Sequence, residues 1–468
     1  MNHYLFSIKK KLNSMSEEKK SAVAFALANS MTMGITAITT PIFTRLMSVD
    51  DYGIVSIYNS WQSVLLVIVT LMLSAGVYNN GLIDFKDKRN EFTSSMVGLS
   101  CLLTAVWFLI FQQGYSWISE IIKIPFGLMC IMFLYFLTLP AYNFWMTQAR
   151  FSNKYKKPIA LSIGISILSI VTGILAIILF PQQKAYAKIA GSTFPMIVLY
   201  AVILVFLIYK GKQVINIGYW KYALSFNMPL VPHYLSNIIL GSSDRIMIGL
   251  LCNERQAGIY GVVYMLANIM AILISSINIS WVPYLYKRLE QEKYREIEKV
   301  SQKLILLVMA GCIAVMMFGN EAMLILAPKD YYEAVYIIPV LIFANFFVFL
   351  YGLFINVEMF YKKKYFITVA TTLAAIFNVG ANYLLLPRFG YQVAAYTTLA
   401  GNFILAIGHG IFVKKISDRK IYNFRLMRNI ALLLMGISLT YIFLYQYLII
   451  KYIVSAALII LVICVYRK

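Results

Sequence analysis

The chain has 468 residues, of which 61% are apolar or aromatic by type and only 13% charged, against roughly 25% charged in an ordinary soluble domain. Its formal net charge is +22, from 41 Lys and Arg against 19 Asp and Glu. A water-soluble globule is excluded. The scattered cysteines (Cys101, Cys130, Cys252, Cys312, Cys464) and histidines (His3, His233, His409) give no basis for a disulfide framework, a zinc site or a redox centre.

In chain order, residues 1–20 form a basic tail carrying Lys9, Lys10, Lys11, Lys19 and Lys20. Leu5, Ile8, Leu12 and Met15 give it the spacing of an amphipathic helix lying on an anionic membrane surface, and a floppy tail is the alternative. It lacks the apolar core and cleavage site of a secretory signal. Apolar stretches then predict transmembrane helices near 21–44, 54–78, 92–114, 125–148, 158–180, 187–209, 223–243, 259–285, 303–326, 335–360, 366–386, 392–413, 429–448 and 452–466, the last being short. This makes about 14 spans in an all-α polytopic membrane protein, with no room for an independent soluble domain.

Charge position fixes the expected orientation. With the N-terminus inside, 32 of the 41 Lys and Arg fall in cytoplasmic tails and loops. Only Arg45, Lys123, Lys184, Lys188, Arg245, Arg255, Lys329, Arg388 and Lys451 fall on the other side. That asymmetry is the positive-inside signature, with both termini cytoplasmic. It accounts for the net charge through anionic lipid head groups, without nucleic acid.

The first and seventh helices start an internal similarity: Leu46-Met-Ser-Val-Asp-Asp-Tyr-Gly53-Ile54 lies on Leu251-Cys-Asn-Glu-Arg-Gln-Ala-Gly258-Ile259. Both copies run in the same direction, which predicts two six-helix bundles related by an axis along the membrane normal. The expected organisation is tail 1–20, N-terminal bundle 21–209, linker 210–222, C-terminal bundle 223–413, basic linker 414–428 and two added helices in 429–468.

Enzyme chemistry finds little support. No phosphate-binding G-x-x-x-x-G-K-[ST] loop occurs, Gly211-Lys212 being followed by Gln213. There is no Asp-x-Asp pair and no Ser/His/Asp or metal-ligand grouping. The helices instead carry polar side chains: Asn29, Thr32, Thr36, Thr39 and Thr40; Asn59 and Gln62; Asn143 and Gln148; His233 and Asn237; Asn268 and Asn278; Asn345, Asn356 and Glu358; Asn378 and Asn382; Asn402 and His409. Polar groups at membrane depth must face protein or water. Individually each fits an interhelical hydrogen bond; together, spread over both halves, they predict a hydrated central cavity. Pro41, Pro140, Pro195, Pro229, Pro232, Pro283 and Pro339 fall in or at the ends of spans, and the Pro229-x-x-Pro232-His233 run predicts a bent seventh helix.

Pro41-Ile-Phe-Thr-Arg45-Leu with Asp51-Tyr52-Gly53, Asp244-Arg245-Ile-Met-Ile-Gly249 with Gly258-Ile-Tyr260, Tyr332 with Ala334, and the Lys362-Lys363-Lys364 turn together give the chain a family likeness. It resembles the Wzx-type polysaccharide and O-antigen flippases of the multidrug/oligosaccharidyl-lipid/polysaccharide superfamily. The resemblance runs over essentially the whole length in helix count and loop pattern. It implies two six-helix bundles set as a V about a central cavity, as in multidrug transporters of that superfamily, with helices 13 and 14 added. It implies a flippase moving undecaprenyl-diphosphate-linked oligosaccharide, by alternating access, from the inner to the outer leaflet of the bacterial cytoplasmic membrane. It also implies membrane-lipid contact and, as partners, a polysaccharide polymerase and a chain-length regulator.

Candidate cavity residues are Arg45, Asn29, Thr36, Asn59, Lys188, His233, Asn237, Asp244, Arg245, Asn268, Asn356 and Glu358. A diphosphate needs a cation. Arg45, the motif arginine, fits that role or that of an interface anchor; Arg245 fits cargo contact or an ion pair with Asp244 capping the seventh helix; Lys188 fits a cavity residue or an ordinary loop lysine. No catalytic residue, metal or cofactor is expected. Coupling to H⁺ or Na⁺ stays open, with Glu358, His233 and His409 as exchange sites or ordinary hydrogen-bonded residues. The rival readings are a drug/cation antiporter of the same superfamily, disfavoured by fourteen spans and the near absence of mid-membrane carboxylates, and a membrane polysaccharide polymerase, disfavoured by the missing outer catalytic loop.

Overall fold

The computed structural model describes residues 17–152, 154–417, 419–447 and 449–455. The apolar positions of the basic tail and most of the predicted last span lie outside them. Among the described residues there are helices and turns but no strand. Among the described residues, eleven helices are long and apolar enough to cross a membrane, and they coincide with predicted spans two to six and eight to thirteen. Two long helices fall outside that set: α1 (Glu17–Leu46) and α10 (Val231–Leu251). Both carry a heavy polar load, including Asn29, Thr32, Thr36, Thr39 and Thr40 on α1 and His233, Asn237, Asp244 and Arg245 on α10.

The chain divides into two compact units. One comprises the chain up to Thr39 together with Trp61–Val231; the other comprises Thr40–Ser60 together with Pro232 onward. The end of α1 and the first half of α2 (Val49–Thr70) therefore count with the second unit.

In the first unit, α2 ends at Thr70, short of its predicted end at 78, and a turn leads into α3 (Gly76–Asp84). Leu71 and Met72 both have φ of 50°, a left-handed conformation costly for residues with a side chain. The break leaves helical carbonyls unpaired, and the buried Asn227 amide donates to the Leu71 carbonyl. Asn227 itself ends α9 (Ile217–Asn227), beyond which a 3₁₀ turn, Met228–Leu230, precedes α10. The seventh span is thus broken at Pro229, which has no N–H to give to a continuous ladder. Next come α4 (Arg89–Gln113), α5 (Tyr115–Ile122), α6 (Phe126–Phe151), α7 (Lys156–Leu179) and α8 (Lys184–Gly211). α4, α6 and α8 pack on Leu73, Val77, Tyr78 and Phe92. A Cβ on Gly98 would stand 2.1 Å from the Val214 carbonyl oxygen, and one on Gly211 would stand 2.2 Å from that of Asn90. These glycines let the start of α4 approach the segment ending α8.

The second unit continues through α11 (Glu254–Ala267), α12 (Ile269–Glu290), α13 (Tyr294–Leu326), a 3₁₀ segment (Lys329–Ile337), α14 (Ile338–Phe360), α15 (Lys364–Phe389), α16 (Val393–Ile416) and α17 (Phe424–Leu444). The span Lys329–Phe360, which contains α14, is buried over 78% of its most apolar stretch, compared with 22% for α7 and α8. α14 is accordingly the central helix of this unit, flanked by α12, α13, α16 and α17. The predicted eighth span is two helices meeting at Asn268, and Asn345 of α14 donates to the Ala267 carbonyl at that junction (3.3 Å).

The repeat-related glycines meet inside this unit. A Cβ on Gly53 would lie 1.8 Å from the Glu254 carbonyl oxygen. One on Gly258 would lie 2.4 Å from that of Val49 and 3.1 Å from the Gly53 Cα. The α2–α11 crossing is therefore backbone against backbone.

Candidate functional site

The polar residues of the second unit gather on α10, where the sequence places His233, Asn237, Asp244 and Arg245 within four helical turns. Asp244 is 2% exposed. Its Oδ2 accepts hydrogen bonds from the Tyr260 hydroxyl of α11 (2.6 Å) and the Thr398 hydroxyl of α16 (2.6 Å). Its Oδ1 accepts one from the Asn382 amide of α15 (2.8 Å). Thr397 donates in turn to Asn382 Oδ1, and Ser243 donates to Asn378 Oδ1 (3.0 Å). Four helices are thus tied by one carboxylate and a shell of neutral donors, all buried.

The expected Asp244–Arg245 ion pair is not present, because successive residues on a helix point about 100° apart. Arg245 lies within α10 rather than at an outer turn. Its Nε donates to the Ser60 hydroxyl (2.8 Å), its Nη2 to the Gly241 carbonyl (2.6 Å), and its guanidinium carbon lies 4.2 Å from the centroid of the Tyr264 ring. A half-buried guanidinium is thus held in place by neutral acceptors and an aromatic face.

Arg45 is exposed at the end of α1, where Nη1 donates to the Pro41 carbonyl (3.0 Å) and the Ile325 carbonyl (3.1 Å). The neighbouring Thr44 hydroxyl donates to the Leu326 carbonyl (2.7 Å). These carbonyls belong to the last turn of α13, which has no helical donors left. The two adjacent side chains close that helix end.

A second buried cluster joins α14 and α16. Glu358 Oε1 and His409 Nδ1 are 2.8 Å apart with both side chains fully buried. Glu358 Oε2 and His409 Nε2 have no protein partner, and the rings of Tyr351 and Phe366 flank the imidazole at 5.0 and 5.3 Å. His233 shares a hydrogen bond with Thr371 of α15 (3.1 Å), and Asn237 caps the other ring nitrogen (3.1 Å).

The remaining candidates are dispersed. Asn356 bonds its own helix at Gly352 (2.7 Å), and Asn268 is exposed at the α11–α12 junction. Asn59 is exposed on α2. Thr36, on α1, and Lys188, in the second turn of α8, belong to the first unit. The side chain of Asn29 lies outside the described residues. Tyr260, Thr397, Thr398, Asn378, Asn382, Ser60 and Tyr264 complete the clusters without having been singled out as site residues. The one available signal was Asn378 with Asn382, four apart and hence on one helix face. Among the described residues no group of His, Cys, Asp and Glu could hold a metal ion.

A family profile described as "Polysaccharide biosynthesis protein" matches residues 19–289. The chain is similar to a protein of the Lsg locus of Haemophilus influenzae, at 19% identity over 77% of this chain and 90% of that one. It is also similar to the capsular polysaccharide biosynthesis protein CapF of Staphylococcus aureus, at 26% identity over 43% of this chain and 52% of that one. Among solved structures, the lipid II flippase MurJ in an inward closed conformation superposes with a TM-score of 0.70 at 12% identity, covering 95% of this chain and 98% of that one. An inward-facing multidrug resistance MATE family transporter of the MOP superfamily gives 0.60 at 11% identity, covering 84% and 97%. The chain thus shares the fold of these two structures, as the sequence resemblance implied. With the family profile spanning more than half of its length, the chain belongs to the polysaccharide biosynthesis protein family of multi-pass membrane proteins.

Proposed function

We propose that this protein is a flippase that carries a polyprenyl-diphosphate-linked oligosaccharide, the repeat unit of O-antigen or another surface polysaccharide, from the inner to the outer leaflet of a bacterial cytoplasmic membrane. The observation that carries the reading is Arg245, a half-buried guanidinium bonded to a hydroxyl and a carbonyl and lying over a ring, with no carboxylate in ion-pair contact among the described residues. A diphosphate leaving water needs a counter-charge, since an unpaired ion costs several kcal/mol even after relaxation. Arg245 can supply one bidentately while Ser60, Gly241 and Tyr264 keep it in place. The sugar head group is served by hydroxyls and amides of the kind carried by α1 and α10. Arg45, engaged in closing the end of α13, is the weaker choice for the same role. The coupling ion, H⁺ or Na⁺, is assigned to the buried carboxylates Asp244 and Glu358. Polymerase and chain-length regulator are the expected downstream partners, and both termini are placed in the cytoplasm by the distribution of basic loops.

The test is deletion of the gene, with surface glycan and the sidedness of lipid-linked repeat units as readouts. Surface glycan should vanish while repeat units accumulate on the cytoplasmic side. Units that reach the outer leaflet unpolymerised would replace this reading with a polymerase. Restored glycan with Arg245→Lys but not with Arg245→Ala, at equal membrane-inserted protein, would locate the counter-charge; full transport by Arg245→Ala would remove it from that residue.

A further inference from the structure

A cavity of about 1110 Å³ opens between α14, α16 and α17, entirely within the second unit and lined by none of the residues of the Asp244 and Arg245 clusters. Phe343, Phe347 and Phe354 of α14, Phe403 of α16 and Met435 of α17 give it apolar walls. At one end stand Lys414, Arg425 and Arg428. All three are exposed, and among the described residues none is in an ion pair. Lys414 lies 4.2 Å over the Phe424 ring, and Arg428 reaches only the Asn429 carbonyl-type oxygen beside it, at 3.4 Å. Basic residues nearby or elsewhere in the unit do find acids: Lys420 pairs with Glu298 at 2.7 Å, and Lys451 pairs with Glu321. Three cations without an ion pair among the described residues thus stand together at one mouth of an apolar groove.

We infer that this groove is a binding site for one anionic membrane phospholipid, its acyl chains lying along α14 and α17 and its phosphate held by Arg425, Arg428 and Lys414. Depth supports the assignment. From Phe343 to Phe354 and from Arg425 to Met435 the walls rise about 15–17 Å at 1.5 Å per residue, roughly half of a hydrocarbon core of about 30 Å. The groove is thus one leaflet deep, with its charges where the head group of that leaflet belongs. Basic pockets between transmembrane helices are a recognised way of selecting anionic lipids; the paired arginines match a phosphate's oxygens, and a third cation beside them favours a head group that carries no ammonium of its own over a zwitterionic one. This site is independent of the flippase reading, since it needs no cargo.

The experiment uses the full-length protein, purified and delipidated in detergent, with bound lipid counted by native mass spectrometry during titration with dioleoyl phosphatidylglycerol or with phosphatidylcholine of the same chains. One phosphatidylglycerol should bind in preference to phosphatidylcholine. At about fivefold per removed charge, Arg425→Gln with Arg428→Gln should weaken it about 30-fold. Lys362→Gln with Lys363→Gln, an equal charge change at exposed positions that do not line the groove, should leave it unaltered. The lipid-free thermal midpoint of each variant, expected to match that of the parent because all four side chains are exposed, separates lost binding from lost fold. Equal binding of the two lipids, equal loss in the control variant, or displacement of phosphatidylglycerol by undecaprenyl phosphate would each overturn the assignment, the last by making the groove part of the cargo path.

Discussion

Asp244 is a buried carboxyl within α10 whose hydrogen bonds all come from hydroxyl and amide donors. Three hydrogen bonds converge on it from three other helices, so its removal is felt in α11, α15 and α16 together. Asp244→Ala orphans the Tyr260, Thr398 and Asn382 donors, at about 1–3 kcal/mol for each buried group left unmade. The expected outcome is a large drop in membrane-inserted, monodisperse protein, measured by fluorescence-detected gel filtration. Asp244→Asn retains an acceptor for Asn382, and the two hydroxyls can turn to accept from its amide; it should fold near normally while losing whatever depends on the negative charge. Equal folding of the Ala and Asn variants would show that the hydrogen-bonded shell is not what holds these helices. The sequence offers Asp244 only as a residue beside Arg245 at the end of the predicted seventh span. Its partners are not legible there, because Asn382 and Thr398 lie 138 and 154 residues away, and pairing at such separation leaves no local pattern. Asp244 and Arg245 are neighbours in sequence, but helical rotation sends their hydrogen bonds to different partners.

At the level of elements, hydropathy locates helices well and their interruptions poorly. The break at Pro229 has a chemical cause written in the sequence. The break after Thr70 does not, since Leu71 and Met72 adopt positive φ without a glycine, and its stabilising contact comes from Asn227, 156 residues away. Glycines at close approaches are similarly mute until the neighbouring backbone is known. Gly98→Val should force the start of α4 away from Val214, with overpacking costing about 1–3 kcal/mol. Thermal midpoints of purified protein should fall for Gly98→Val and stay near the parent value for Gly164→Ala, where no atom lies within 4 Å of the added carbon. A parent-like midpoint for Gly98→Val would mean that α4 can shift freely.

For the whole molecule, the orientation drawn from basic loops places Lys329 outside and Lys363 inside, at opposite ends of the span Lys329–Phe360. Single cysteines at these two positions, in a background lacking the five native ones, should react and stay unreacted, respectively, with an impermeant maleimide on intact spheroplasts. Reaction at Lys363→Cys would invert the topology. The crossing of Gly53 and Gly258 bears on how the chain tolerates change. Equivalent positions of a repeat face one another there, in the manner of a self-complementary contact between two copies of one surface. Each glycine supplies the space that the other's backbone occupies, so the two sites are not independent targets for mutation. A methyl group at either position displaces the helices by about the same amount, and once they have parted a second methyl finds room already made. Gly53→Ala and Gly258→Ala should each lower the thermal midpoint, and the double variant should lie well above the value that adding the two losses gives, a coupling that neighbouring sites show and distant ones do not. Strict additivity would mean that the two hairpins yield separately. Sub-additivity would mean that the first substitution at this crossing makes the second nearly neutral, so that paired changes accumulate there more easily than single ones.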